Sequence, residues 1–252
     1  MSRRVVAAAT VFALLALAGA ALLLPGGAWA QSVTLDFGGP GTGSSTARIV
    51  QLIILMTVLS LAPGVMVIVT SFTRIVIVLS LLRTALGTQQ SPPNVVMISL
   101  ALFLTGFIMA PTFTEAYTNG IAPLIEEQIT EAEAFEASTR PFHAFMMSHV
   151  RQQDLDLFMG MAKATPEQTG VNTPFHVLVP AFMISELRRA FEIGFLLYLP
   201  FLVIDMVIAS VLMSMGMMML PPALISLPFK LIFFVLVDGW YLVAGSLVRS
   251  FG

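Results

Sequence analysis

The chain has 252 residues, of which 57% are hydrophobic and only 10% charged, with a formal net charge of −2. Ordinary soluble domains carry about 25% charged residues, so this is the composition of an integral membrane protein, and the balance of charge gives no basic footprint for nucleic acid. Cysteine is absent, which excludes disulfides, thiol catalysis and cysteine-based metal sites.

The N-terminus reads as a targeting segment. Arg3 and Arg4 precede an apolar run from Val5 to Leu24, then Pro25, and Ala28-Trp29-Ala30 supplies an A-x-A pattern. A signal peptide over residues 1–30 with cleavage between Ala30 and Gln31 is expected, the alternative being an uncleaved anchor. Either way the arginines stay inside and the following chain emerges outside. Residues 31–48 hold Gly38 to Ser45 in flexible-linker composition; no Gly-Lys-Ser/Thr follows, so a phosphate loop is rejected.

N-terminal membrane helices are expected over residues 49–114. The run from Ile49 to Leu82 is too long for one upright span, and Pro63-Gly64 should kink or break it. A helix should end at Gly87, with "SPPN" (Ser91 to Asn94) as a sharp turn before a second apolar segment from Val95 to Phe113. Residues 115–178 change character. Glu126, Glu127, Glu131, Glu133 and Glu136 predict an acidic helix with a solvated face, and the segment reads as helical and extracytoplasmic. Residues 179–252 predict a C-terminal helical hairpin. Its arms run from Ala181 to Leu220 and from Pro222 to Val248, carrying Pro200 and Pro228, and "MMMLPP" is the turn. Pro200 and Pro221-Pro222 are further expected breaks. Hydropathy therefore predicts an all-α membrane protein with four mature spans, without internal repeats.

Eight charges sit in or beside these spans: Arg74, Glu186, Arg188, Arg189, Glu192, Asp205, Lys230 and Asp238. Each costs about 2.5–3.5 kcal/mol at a helix centre on the insertion scale, so each must face protein or water. Glu186 with Arg189 (i, i+3) and Arg188 with Glu192 (i, i+4) can pair locally. Asp205, Lys230 and Asp238 have no local partner, which predicts partners on another helix or another chain, and hence an oligomer. A proton or ion relay is the functional alternative to structural ion pairs. His143 and His149 are six residues apart, about 120° from a shared helix face, and no metal, nucleotide or Ser/His/Asp pattern appears. No catalytic residue, metal or cofactor is expected.

Methionine is used 16 times. Met206, Met213 and Met217 follow one helical stripe, and Met215, Met217, Met218 and Met219 surround Gly216 at the helix break. Methionine is unbranched, soft and able to repack. For most positions that means core filling. At a break, irregular backbone at membrane depth must be buried in protein or line a cavity. Copies stacked around one axis would form a compliant apolar seal, closed to ions by dewetting yet deformable around a passing chain.

Long blocks now become specific: "SFTRIVIVLSLLRTALGTQQSPPN" (Ser71 to Asn94), "DLDLF" (Asp154 to Phe158), the run from Pro180 to Pro222, and "SLPFKLIFFVLVDGW" (Ser226 to Trp240). Together they resemble the FliP family, the P subunit of the flagellar type III export gate, related to the R-type subunit of injectisomes. The resemblance covers the chain from Ile49 to Val248. It implies kinked helical hairpins in a helical oligomeric gate, pentameric in the family. Its partners would be the Q and R subunits, the export apparatus A and B proteins and unfolded flagellar substrates. Its place would be the bacterial inner membrane, in the flagellar basal body. It also implies that Met215, Gly216, Met217, Met218 and Met219 are the pore gasket, that the charged block around Glu186 takes part in subunit packing, and that the hairpins need not each span the bilayer. A small-solute or ion transporter using the buried charges, and a pore-less scaffold, are the alternatives.

Overall fold

The computed structural model describes residues 44–88, 90–163, 169–217 and 220–252. The expected signal peptide with its Ala30–Gln31 junction, most of the expected linker, and Met218 and Met219 lie outside the described residues. The chain divides into two units, Met1–Met56 and Thr57–Gly252. Of the first, the described part is the opening of helix α1 (Ser44–Ile68); the packed cores belong to the second.

Among the described residues all regular structure is helical. After α1 come α2 (Phe72–Leu86) and α3 (Asn94–Ala116), which runs through a π-helical turn (Tyr117–Ile121) into the short α4 (Ala122–Ile125). Then come α5 (Glu131–His149), α6 (Gln152–Ala162), a 3-10 turn (Gly170–Asn172), α7 (Phe175–Ser214), α8 (Pro222–Leu236) and α9 (Gly239–Arg249). Asn94–Ile125, with 32 residues, and Phe175–Ser214, with 40, are each long and apolar enough to cross a membrane, and the bent pairs α1–α2 and α8–α9 make four if each counts as one span. These are the four apolar segments of the sequence. At ~1.5 Å per residue α7 is about 60 Å long, roughly twice the thickness of a hydrocarbon layer.

Helix α2 is the centre of the packing. Ile75, Val78, Leu79, Leu82, Ala85 and Leu86 recur at helical spacing and are buried with Met97 and Ala101 of α3, Ala190 and Phe201 of α7, Phe234 of α8, and Val243 and Leu247 of α9. Gly194 permits the close approach of α7: a Cβ there would come within 2.2 Å of Leu81 Cδ1. A second core joins Val69, Met146, Leu155, Val177, Leu178, Ala181 and Phe182, tying α5 and α6 to the start of α7. The outer faces are the reverse. Phe103, Phe107, Phe195, Val235 and Leu236 are exposed in the single chain, an apolar skin that requires lipid or other protein.

The expected break at Pro221-Pro222 is present, with Pro221 capping α8, but those at Pro63 and Pro200 are not. α1 runs unbroken through Pro63, and α7 runs unbroken through Pro180 and Pro200. A proline costs one backbone donor, but in apolar surroundings the remaining helix bonds cannot be exchanged for water and are kept. The first bend, 64°, lies between Ile68 and Phe72. There Thr70 Oγ1 donates to the carbonyl of Val67 (3.2 Å) and accepts from the N–H of Phe72 (3.4 Å), so side-chain hydroxyls take over backbone bonds. The fourth segment, expected as one helix, bends by 64° at Val237–Asp238. Asp238 adopts left-handed backbone, φ 51°. The stop at Gly87 falls as the sequence predicts, with φ 78° and its N–H on the carbonyl of Thr84.

The acidic stretch is not one helix. Glu126 and Glu127 close α4, with Glu127 at φ 56°, and α5 opens afresh at Glu131. Thr130 and Glu133 form a reciprocal capping box. The backbone N–H and the hydroxyl of Thr130 hold the Glu133 carboxyl below the ordinary glutamate range.

Both the α8–α9 bend and the capping box can be tested. A Cβ on Gly239 would lie 2.2 Å from Phe234 Cε2, so Gly239→Val must displace that ring and open the bend, at about 1–3 kcal/mol; thermal unfolding of the detergent-solubilised protein should show the loss. For the capping box, the folded carboxyl has the lower pKa. Its stabilisation is therefore complete above the ordinary glutamate range and disappears as pH falls through the lowered value. Glu133→Gln should abolish that acid-dependent part of α5 protection in amide hydrogen exchange.

Candidate functional site

Two buried charge clusters pin α2 at its two ends. Near its start, Arg74 is 1% exposed and Glu186 of α7 is 0% exposed. Arg74 Nε donates to Glu186 Oε2 (2.8 Å) and Nη2 donates to Oε1, a two-pronged carboxylate clamp that lysine could not make. Nη1 donates to the carbonyl of Ser250 (2.9 Å) and lies 3.0 Å from its hydroxyl. The Phe251 ring covers the guanidinium, 3.6 Å from Cζ to its centroid. Ser250 and Phe251 thus act as a strap that completes the arginine's surroundings. The same strap reaches α5: His149 Nε2 lies 3.3 Å from the carbonyl of Phe251, and Phe145 stacks on the Phe251 ring.

At the other end of α2, Lys230 of α8 is 5% exposed. Its Nζ donates to Asp205 Oδ2 of α7 (2.6 Å) and to the carbonyl of Ala85 (3.1 Å). Ala85 lies in the last turn of α2, where a cation is favoured by unpaired carbonyls and the helix dipole. Ser226 Oγ donates to the second oxygen, Asp205 Oδ1 (2.5 Å). One ammonium therefore ties three helices together.

The remaining charges divide. Arg188 Nε meets Glu192 Oε1 at 3.0 Å, as their spacing predicts, on an exposed face. Glu186 turns to Arg74 rather than to Arg189. Asp205 and Lys230 find each other between helices of one chain, whereas Asp238 shapes the α8–α9 bend and caps nothing with its side chain. A link absent from the sequence reading joins α6 to α7: the N–H of Arg151 donates to Ser185 Oγ (3.0 Å), which donates to Asp154 Oδ2 (2.7 Å). His143 Nε2 lies 2.7 Å from the carbonyl of Thr173. Among the described residues no group of three or more His, Asp or Glu is placed to hold a metal ion.

The methionine-rich stretch is a helix end with a defined form. The N–H of Gly216 donates to the carbonyl of Met213 (3.1 Å), and the N–H of Met217 donates to that of Leu212 (3.0 Å). With Gly216 at φ 73°, this is a Schellman stop, which needs left-handed backbone at the glycine. The glycine among the methionines therefore has a mechanical purpose: it ends α7 while the thioethers of Met213, Met215 and Met217 remain exposed on the chain.

Removing one partner of the Arg74–Glu186 clamp leaves a buried unpaired charge, so Arg74→Ala or Glu186→Ala should each destabilise by about 3–5 kcal/mol, while Arg74→Leu with Glu186→Leu recovers much of the loss. Thermal unfolding of the three variants in detergent checks this. Gly216→Ala forces a side chain into left-handed backbone, at about 1–2 kcal/mol; proteolysis at residues 214–217 should become faster.

Comparison with known proteins identifies the family. A profile of the FliP family matches residues 55–247. The chain is 63% identical over 232 residues to the flagellar biosynthetic protein FliP of Caulobacter vibrioides, covering 92% of this chain and 87% of that one. It is 56% identical over 212 residues to that of Bacillus subtilis (84% and 95% covered), and 50% identical over 204 residues to that of Aquifex aeolicus (80% and 85% covered). The chain therefore belongs to the FliP family and is a flagellar biosynthesis protein of the export apparatus.

Proposed function

We propose that the protein is a core subunit of the flagellar protein export channel. Several copies, five by analogy with the family, surround one passage for unfolded flagellar proteins, together with the Q and R gate subunits and alongside the A and B proteins. The assembly belongs to the inner membrane and the basal body, and residues 115–178 face the extracytoplasmic side. The chain carries no catalytic machinery in this reading. The loop from Met215 to Met219 is the gasket.

The observation that carries the proposal is the end of α7. A glycine stop halts the helix inside an apolar hairpin, and Met213, Met215 and Met217 present thioethers that are exposed in the single chain. Irregular backbone of this kind needs a protein or cavity environment, and a ring of soft side chains supplies a constriction that is dry yet deformable. The exposed apolar faces of α3, α7 and α8 offer the surface for neighbouring subunits, with Arg188, Arg189, Glu192 and Asp238 available at their contacts. Arg74, Glu186, Asp205 and Lys230 have partners within the chain, so their part in packing is to hold the subunit's shape.

The same pairing weighs against a solute or ion transporter, because its binding charges are already saturated by one another. Uptake of a small solute by liposomes containing the purified protein would favour the transporter.

Replacing Met217, Met218 and Met219 with glycine should raise the ion permeability of cells carrying the assembled gate. A cross-linker at Met217 should capture an export substrate stalled in passage; capture elsewhere but never at Met217, in a correctly assembled complex, would favour a scaffold without a conduit.

A further inference from the structure

The methionines of this chain differ sharply in their exposure in the single chain. Met97, Met109 and Met146 are buried in the cores, at 5%, 0% and 0% exposure. Met213, Met215 and Met217, crowded into five residues at the end of α7, are 56%, 58% and 44% exposed. Their position is also unlike that of a thioether on a lipid-facing helix. Backbone groups beyond a helix end cannot be satisfied by hydrocarbon, so this stretch meets water or protein rather than acyl chains. The Schellman turn ties the N–H of Gly216 to the carbonyl of Met213 and that of Met217 to Leu212, which keeps the three methionines at a single helix end.

We infer that Met213, Met215 and Met217 form an oxidation site, at which peroxide converts the thioethers to sulfoxides and thereby wets the seal. The chemistry balances with the peroxide as the only co-reactant. A sulfur lone pair attacks one peroxide oxygen, the O–O bond breaks, an S–O bond forms, and water leaves. Sulfur loses two electrons and the peroxide gains them. Each sulfoxide replaces a flexible apolar group by a polar hydrogen-bond acceptor. A constriction that excludes ions by dewetting loses that property once its lining binds water. The change is reversible by methionine sulfoxide reductases, so the site is a redox-sensitive gate element. The wetting half of the inference rests on the gasket reading; the reactivity half does not.

The experiment treats membranes containing the assembled export gate with dilute hydrogen peroxide and reads two quantities. Peptide mass spectrometry should find added oxygen at Met213, Met215 and Met217, and none at Met97, Met109 and Met146. Ion permeability should rise with that oxidation and return to its starting value after reductase treatment. Replacing the three methionines with leucine keeps the lining apolar and should lessen the rise in permeability that peroxide causes. Thioethers left intact at all three positions, while the exposed Met161 of α6 is oxidised in the same sample, would overturn the inference. Sulfoxide at the three positions with unchanged permeability would also overturn it. In that second case the glycine variants separate the readings: if they leak, the gasket stands and only the oxidation gate falls; if they do not, both fall.

Discussion

Charge taken out of water must be met by other charge and by hydrogen bonds on every side, and this protein meets the demand at the two ends of one helix. At the start of α2, Arg74 commits two donors to Glu186 and one to the strap, and Phe251 covers its face. At the end of α2, Lys230 joins Asp205 to the carbonyl of Ala85. No single helix could satisfy either cluster. Side chains from α2, α7, α8 and the strap must arrive together, so the clusters act less as a source of net stability than as a registry device. A slip of one residue along α7 would strand Glu186, and the cost of stranding it is what makes this packing unique. The apolar face of α2 then supplies the burial, and Gly194 the close approach.

With the charges of these two clusters consumed internally, the outer faces of α3, α7 and α8 keep large exposed apolar residues. That suits a subunit whose neighbours are lipid and other subunits of an export gate. It also directs the functional question to the place where α7 stops inside an apolar hairpin. α7 is about twice as long as a hydrocarbon layer is thick, and it ends on a glycine stop among methionines. The clusters at Arg74 and Lys230 hold α7 and α8 in place, and so set where that end lies. In the proposed reading, structure and function are linked through that positioning.

The features that could be read from the residues are those set by local or summed properties. Four apolar segments emerge from hydropathy because many residues contribute to each, and the stop at Gly87 is written in a single glycine. Proline misled the reading at Pro63 and Pro200, because the rule that proline ends a helix presumes water to take up the freed carbonyl. The actual bend at Thr70–Ser71 uses hydroxyls, a weaker signal. The bend at Asp238 was not read, because strong hydropathy on either side makes the segment look continuous. That the charges required partners followed from their setting. That Glu186 meets Arg74, and Asp205 meets Lys230, depends on how helices far apart in sequence are packed, and no spacing encodes it. The strap left no periodic signal at all: Ser250 and Phe251 become meaningful only once Arg74 is seen beneath them.

The direction in which the end of α7 points in the assembled gate decides between a seal and a scaffold. A density map of the complete assembly viewed along its axis is the most direct test. The loops that follow Gly216 in each copy should converge on a common centre and close it, with methionine density meeting across the passage. If instead these loops turned outward to the lipid boundary and left the centre open or lined by other segments, the proposed seal would be contradicted.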